Sequence, residues 1–169
     1  MTNNLMDLGS TGEIAKTGAK PKLPTTIPNL TDTMLDVYRI PLKYLYYNDE
    51  NGRISTQIKR EFGTLMAQTD ETNPDYNNKI ATFIEEDNAT ALKKTKKSIK
   101  EKGQQVYGYV LQDGRIIDGN RRFTALRQLQ TEIGTSQYFE AVIILITKWL
   151  NIGPDKLFAN HWFFELVDF

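Results

Sequence analysis

The 169-residue sequence contains no cysteine and a single histidine, His161. Without cysteine the chain cannot form a disulfide scaffold, use a thiol nucleophile or bind zinc or an iron–sulfur cluster through cysteine ligands. One histidine also cannot build a histidine-rich metal site. These two absences exclude disulfide-stabilised scaffolds and the commonest protein metal centres.

Long apolar runs and an excess of one charge are missing as well. The longest apolar run, residues 141–146, is far shorter than the roughly 20 residues that cross a bilayer. Residues 1–19 lack the apolar core of a signal peptide, so we expect a cytoplasmic protein without a membrane segment. Basic and acidic residues number 21 each, which argues against coating nucleic acid by bulk charge but leaves a local basic face possible.

The composition and length are those of one globular domain. Hydrophobic residues make up 40% of the chain and charged residues 25%, as in ordinary folded proteins. Residues 1–30 contain several glycines and prolines and few large apolar groups, so we predict a flexible N-terminal arm. Residues 31–169 are then expected to form a single α/β domain.

Apolar periodicity predicts helices and strands in mixed order. Strands are predicted at residues 35–40, 106–111, 116–117 and 140–147, and helices at 54–66, 76–84, 89–102, 121–133 and from 154 onward. Asp113–Gly114 is the signal of a two-residue hairpin turn. The last helix is unusually apolar, and such a patch suits a homodimer contact or a partner protein.

The predicted helix at residues 89–102 is basic, with six lysines and one glutamate. A solvated face is one explanation of this charge. The functional alternative is contact with the phosphate backbone of DNA. The candidate DNA-binding residues are Lys93, Lys94, Lys96, Lys97 and Lys100.

The most informative segment is Asp118-Gly119-Asn120-Arg121-Arg122, which leads from a strand into a helix. A cation in the first turn of a helix costs roughly 0.3–1 kcal/mol, so two arginines need compensation. An anion bound by the free backbone N–H groups would supply it, and Gly119 would let the backbone approach that anion. Structural arginines paired with aspartate are the alternative. Adjacent helical residues point about 100° apart, so one arginine can hold an anion while the other pairs internally.

Two stretches resemble the ParB N-terminal domain of the ParB/sulfiredoxin superfamily. The first runs from Lys97 to Gln104, and the second, after a strand and an Asp-Gly turn, from Ile116 to Leu126. Upstream, the strand that ends at Pro41 and the turn up to Arg53 are similar to that family's first strand and Asn/Arg turn. The resemblance spans about residues 37–147, with an insertion at about 55–88. It implies a small mixed sheet flanked by helices, with a helical insertion and a C-terminal helix.

The resemblance also implies a ligand. In ParB proteins this turn holds nucleotide phosphates and CTP closes a clamp on DNA, while other branches bind ATP or ADP or have been called nucleases. It implies phosphate binding by a set of residues here, together with a nucleoside triphosphate (CTP or ATP) and Mg²⁺. The set is Gly119, Asn120, Arg121, Arg122, Gln104 and Arg53. Asn120 replaces the family's usual glutamate, and sulfiredoxin chemistry is excluded because it needs a cysteine in the turn.

Three functions remain open at this point. The leading expectation is a ParB-like nucleotide-binding, DNA-associated protein of the partition, plasmid or phage maintenance type. A metal-dependent nuclease or nucleotide phosphotransferase is the alternative, with Asp118 as the candidate catalytic residue and its metal ligands unknown. The third is a non-catalytic protein-interaction module in which the arginine turn is structural.

Overall fold

A computed structural model describes residues 4–21, 34–48 and 74–145, together with positions 56 and 60. Within these ranges the chain is a mixed α/β structure with four α-helices, a 3-10 helix and a five-stranded mixed sheet. The helices are α1 (Leu5–Thr11), the 3-10 helix (Leu42–Tyr44), α2 (Pro74–Asp87), α3 (Ala89–Lys102) and α4 (Asn120–Ile133). The strands are β1 (Ala15–Lys16), β2 (Val37–Pro41), β3 (Gly108–Leu111), β4 (Ile116–Asp118) and β5 (Tyr138–Ile144).

The sheet has the strand order β1-β2-β5-β3-β4. Neighbouring strands are antiparallel except β3 and β5, which run parallel. A parallel pair needs a crossover connection, and here the chain returns through β4 and α4. The residues that join β4 to α4 therefore lie at the sheet edge, where the crossover helix begins.

Both faces of the sheet are apolar, because successive residues of a strand point to opposite faces. Val110 and Ile143 belong to the larger core cluster, which also takes in side chains of α1, α2 and α4. Leu111 and Ile144, one position further along, belong to a second cluster on the other face. This burial on both faces explains why the sequence of β5 is a nearly continuous apolar run.

Helix α3 begins and ends where the sequence predicts. The Asn88 side chain accepts a hydrogen bond from the Ala91 backbone N–H at 2.9 Å, which caps the first turn. Gly103 ends the helix with a positive φ of 74°, and its N–H donates to the Ile99 carbonyl at 2.8 Å. The prediction for residues 89–102 is confirmed.

The hairpin between β3 and β4 has a three-residue loop instead of the predicted two-residue turn. Leu111 N–H donates to the Arg115 carbonyl at 2.8 Å, and Gly114 N–H donates to the Leu111 carbonyl at 3.0 Å. Gly114 has a φ of 96°, a conformation that favours glycine and places a bulge after the turn. The Asp-Gly pair marks the hairpin correctly, but the left-handed glycine lengthens its loop by one residue.

Residues 4–21 are not a flexible arm in this structure. The Asn4 side chain caps α1 by accepting from Met6 N–H at 2.9 Å, and Leu5 N–H donates to the Gln112 carbonyl at 2.7 Å. Leu5 and Ile14 are buried in the core, and β1 pairs with β2. The segment has few large apolar residues, yet those few are placed where the sheet and helices can cover them. Residues 22–30 lie outside the described ranges.

Several other predictions differ in extent or fall outside the description. Helix α2 is longer than predicted, while β5 begins and ends earlier. Ile133, the last residue of α4, is 51% exposed. Most of the insertion before residue 74, the strand beyond 145 and the apolar C-terminal helix lie outside the described residues. Among the helices that are described, none has the length and apolar character to cross a membrane.

Candidate functional site

Gly119 joins β4 to α4 in a conformation that favours glycine. Its φ is 110°, and a Cβ atom added there would lie 2.6 Å from Cζ of Phe139. Gly119 is the N-cap residue of α4 and has no side chain with which to accept from the first-turn N–H groups.

Arg122 is bound inside the fold. Its Nη2 atom lies 2.8 Å from Oδ2 of Asp118, and its Nη1 atom donates to the carbonyls of Val106 at 2.7 Å and Tyr107 at 3.2 Å. The two side chains of the ion pair are only 15% and 7% exposed. Arg122 thus connects the residues just before β3 to the turn just before α4.

This geometry divides the arginine pair. The Asp118 carboxylate matches the charge of Arg122, and the three hydrogen bonds of Arg122 all go to the fold, so the expectation that it holds an external phosphate is not favoured. Arg121 is half-buried and, as the next residue of a helix, points about 100° away. An anion at this turn would therefore meet Arg121 and not Arg122, although Arg121 also has a partner within the chain.

Asn120 is the unusual residue of the turn. It is only 6% exposed, and neither its Oδ1 nor its Nδ2 atom has a hydrogen-bond partner. Its backbone carbonyl, by contrast, accepts from the Thr124 hydroxyl at 2.8 Å. A buried polar group without a partner costs about 1–3 kcal/mol. The carboxamide of Asn120 is therefore a place where an additional polar partner would stabilise the chain.

Gln104 makes contacts that the sequence does not predict. Its Oε1 accepts from Glu140 N–H at 2.8 Å, and its Nε2 donates to the Glu140 carbonyl at 2.8 Å and the Val106 carbonyl at 2.9 Å. The carboxamide thus behaves like an extra backbone unit beside β5, and both of its N–H donors are used. Its expected role in nucleotide binding is not favoured by this arrangement. Arg53, the other expected contact upstream, lies outside the described residues.

The lysines of α3 separate into exposed and engaged groups. Lys93, Lys97 and Lys100 are exposed and fall on one stripe of the helix, because residues four and seven apart share a face. Lys94 is also exposed, about 60–120° around the helix from these three lysines. Lys97 makes only a long, exposed ion pair with Glu101 of the same helix, at 3.9 Å. Lys96 differs, because its Nζ lies 2.6 Å from Oε1 of Glu132 and so ties α3 to α4. We name Lys93, Lys97 and Lys100 the lysine stripe, and Lys96 is not part of it.

Asp118, the candidate catalytic residue, is 5% exposed and engaged by Arg122. Burial and, to a lesser degree, the nearby Asp118 carboxylate raise the pKa of Tyr109, which also contacts this edge of the sheet. Within the described part of the chain no three acidic or histidine side chains assemble into a group that could hold a metal ion. The described residues by themselves do not fit a Mg²⁺ site, and we derive no step through one.

A buried polar connection extends from the turn along α4. The Tyr47 hydroxyl and the Thr124 hydroxyl lie 2.7 Å apart, and Thr124 in turn donates to the Asn120 carbonyl. Burial raises the pKa of the Tyr47 phenol, and the positive charge of Arg127 opposes that rise. Sequence reasoning missed Thr124 and Arg127. The signal that could have found them is the polar spacing of Asn120, Thr124 and Arg127 on a helix that otherwise buries apolar residues.

Compared with known proteins, the chain matches no family model, no curated protein and no solved structure. The likeness to the ParB domain thus stays a resemblance of motifs, and the site is described by its own residues.

Proposed function

We propose that this chain is a ParB-like nucleotide-binding, DNA-associated protein that holds nucleotide phosphates at the turn Asp118–Arg122. The observation that carries the proposal is the Asn120 carboxamide, which is buried and has no hydrogen-bond partner among the described residues, next to an N-cap glycine that offers no side-chain acceptor. An anionic ligand with acceptor oxygens would satisfy the backbone N–H groups and the Asn120 amide together.

The other residues of the turn support this ligand in different ways. Gly119 keeps the approach to the backbone free of a side chain. Arg121 supplies a guanidinium, whose planar fork of donors matches phosphate oxygens. Arg122 and Asp118 hold the turn in shape through their ion pair. Gly119 and Arg121 thus act on the ligand, whereas Arg122 and Asp118 act on the fold.

The ligand we propose is a nucleoside triphosphate, CTP or ATP, as the ParB resemblance implies. A Mg²⁺ ion would arrive with the triphosphate, because the described residues do not form a site for it. The ParB/sulfiredoxin fold, a cytoplasmic location and a role in partition, plasmid or phage maintenance belong to the same proposal. The five-stranded mixed sheet with a crossover helix after the turn is compatible with them.

The lysine stripe is the surface that we assign to DNA. Three exposed ammonium groups on one helix face can each neutralise a phosphate and release a counterion. The chain has no net charge, so this local concentration, and not the overall charge, would attract DNA.

A thermal-shift series tests the nucleotide proposal. CTP, ATP, GTP and UTP with Mg²⁺ are added in turn, and a ligand at 100 times its Kd adds about 2.7 kcal/mol to the stability. We expect at least one nucleotide to raise the melting temperature, and Asn120→Ala and Arg121→Ala to remove the effect. Arg39→Ala, a change at an exposed arginine of β2, is the matched control and should respond like the wild type. No shift with any nucleotide, or an unchanged shift in both turn variants, would contradict the proposal and favour an interaction module.

DNA binding is tested by its salt dependence. Lys97→Gln and Lys100→Gln should each lower the slope of log K against log salt by about 1, as expected for the loss of one phosphate contact. Lys96→Gln makes the same change of charge on the same helix, but its ammonium already pairs with Glu132. An equal effect of all three substitutions would mean that the lysine stripe is not the DNA contact.

Binding without hydrolysis is favoured over the enzymatic alternative by the ion pair of Asp118. The Asp118 carboxylate is 7% exposed and lies 2.8 Å from the Arg122 guanidinium, so it is engaged inside the fold. Turnover of DNA or nucleotide that disappears in Asp118→Asn would reverse this preference, provided that the variant stays folded.

A further inference from the structure

A cleft lies beside Thr124, away from the turn 118–122. It is a cleft of about 710 Å³ between the 3-10 helix, α2 and α4, within the range of about 300–1,000 Å³ typical of small-molecule sites. Its wall is mostly polar. The lining side chains that matter below are Lys43, Asn78, Thr82, Glu85, Arg127 and Gln128. We call this space the α2–α4 cleft.

Arg127 is fixed in the wall of the α2–α4 cleft. Its Nη1 atom donates to the Asn77 carbonyl at 3.0 Å, and its Nη2 atom donates to Oδ1 of Asn78 at 2.7 Å. The guanidinium carbon also lies 5.7 Å from the ring centre of Tyr47 and 5.9 Å from that of Phe123. These contacts hold the planar group in place and use two of its five N–H donors.

The charge of Arg127 has no carboxylate partner among the described residues. Both of its hydrogen-bond acceptors are neutral amide oxygens. Arg115, in contrast, lies 3.7 Å from Asp113, and Arg122 lies 2.8 Å from Asp118. A half-buried guanidinium that contacts only neutral groups binds an anion more favourably than a guanidinium already paired with a carboxylate, because its charge is still uncompensated.

The remaining charges of the cleft leave the end near Arg127 positive. Lys96 and Glu132, which also line it, neutralise each other at 2.6 Å. Lys43 adds a second cation on the 3-10 helix. Glu85 lies seven residues from Asn78 on α2, so it is about 10 Å further along that helix. Arg127, which bonds to Asn78, therefore lies away from Glu85 in the cleft.

We propose that the α2–α4 cleft binds a small molecule carrying a carboxylate or phosphate group, and that Arg127 holds this oxyanion. Lys43 adds to the attraction, while Thr82 and Gln128 provide polar contacts for the rest of the molecule. No residue of the turn 118–122 lines the cleft, so the inference does not depend on the proposed nucleotide site.

The competing explanation is that Arg127 only clamps α2 to α4. Calorimetric titration at constant ionic strength, balanced with chloride, separates the two. Inorganic phosphate and succinate are the probes, one for each source of the oxyanion. We expect at least one of them to bind the wild type, and Arg127→Gln to weaken that binding about tenfold or more. Lys102→Gln, which removes an equal charge from an exposed position of α3, should change nothing.

Gln128→Glu is a second variant in case Arg127→Gln loses its fold. It keeps Arg127 and its bonds to α2, but it places a carboxylate on the cleft wall next to the guanidinium. We expect it to weaken probe binding about tenfold as well. Perturbed backbone amide signals of Asn78, Thr82 and Gln128 in NMR spectra would locate the probe in the cleft.

The outcomes are separable from those of the nucleotide test. Asn120→Ala and Arg121→Ala should bind phosphate or succinate like the wild type, whatever they do to nucleotides. No binding of either probe, binding that a folded Arg127→Gln or Gln128→Glu retains in full, or NMR changes confined to the turn would each overturn the proposal.

Discussion

Arg122 and Arg127 lie five residues apart on the same helix, yet their surroundings are opposite. Arg122 meets a carboxylate and two backbone carbonyls and is 15% exposed in its side chain. Arg127 meets two neutral oxygens and two aromatic rings in the wall of a cleft. The first group completes the fold, while the second keeps its charge available to something outside it.

This difference teaches that charge and position in a helix do not by themselves identify a binding residue. Both arginines are polar interruptions of the buried side of α4, and the pair at its start draws more attention in the sequence. What decides the role is whether the fold supplies a counter-charge. For Arg122 that counter-charge comes from Asp118, four residues earlier, and for Arg127 no described residue supplies it.

The largest expected effect comes from breaking the internal ion pair. Arg122→Ala should lower the free energy of unfolding by about 3–5 kcal/mol, because it removes the guanidinium that pairs with the buried Asp118 carboxylate and donates to the carbonyls of Val106 and Tyr107. Urea denaturation measures the loss. Arg39→Ala, at an exposed position of β2, is the matched control and should cost about 1 kcal/mol or less. Equal losses in both variants would mean that the ion pair between Arg122 and Asp118 adds nothing to the stability of the fold.

The next effect concerns the glycine that begins the turn. Gly119→Ala should cost about 2–4 kcal/mol, because it combines a positive φ with a Cβ atom that meets the Phe139 ring. Gly134→Ala at the other end of α4 also has a positive φ, 71°, but its Cβ would have open space. That control should cost only about 1 kcal/mol. A loss in Gly119→Ala no greater than in Gly134→Ala would show that close packing does not constrain the turn.

Alkaline pH gives a smaller and graded effect. Burial raises the pKa values of Tyr47, near the cleft, and Tyr109, near the turn, so the folded state favours their neutral form. Their contribution to stability is complete below the ordinary tyrosine pKa of about 10 and declines as the pH rises above it. Tyr109→Phe and Tyr47→Phe should therefore each lose less stability than the wild type as the pH rises above 10.

Denaturation curves collected at several alkaline pH values check this prediction. Tyr138→Phe, at a half-buried position of β5, is the control for removing a phenol as such. A wild-type stability that does not change above pH 10 would mean that neither phenol is protected in the folded state.

The smallest effect is expected at the partly exposed ion pair between α3 and α4. Lys96→Gln should cost less than about 1 kcal/mol, although its ammonium lies 2.6 Å from Glu132, because solvent and salt screen such pairs. Glu132→Gln should cost a similar amount, and the double variant no more than either alone. A loss as large as that of Arg122→Ala would mean that the pair of Lys96 and Glu132, and not that of Arg122 and Asp118, is the main structural ion pair of α4.

Much of the fold follows from local patterns. Helix α3 is predicted to the residue, because a capping asparagine and a terminal glycine bound it. The strands and α4 are found with shifts at their ends, since apolar periodicity fixes the type of element better than its limits. Residues 4–21 are missed, because two buried side chains, Leu5 and Ile14, anchor a segment that looks too polar to fold.

The sequence predicts where the candidate site lies but not which partners its side chains have. The spacing of Asp118, Gly119 and the two arginines indicates a special turn, and the structure contains one with a left-handed glycine. Which arginine is engaged internally depends on the carbonyls of Val106 and Tyr107, which β3 brings to the turn from 15 or 16 residues away in sequence. Gln104 is misjudged for the same reason, because its partner Glu140 lies on a strand 36 residues further along.

The sequence by itself determined the order of helices and strands and the place where α4 begins, because caps, glycines and apolar spacing act over a few residues. Only the tertiary structure decided which charges are neutralised. Coulomb attraction and hydrogen bonds depend on distances in space, and those distances are set when β3 and β5 pair and α2 packs near α4. The same packing produced the α2–α4 cleft, whose walls come from segments that are far apart along the chain.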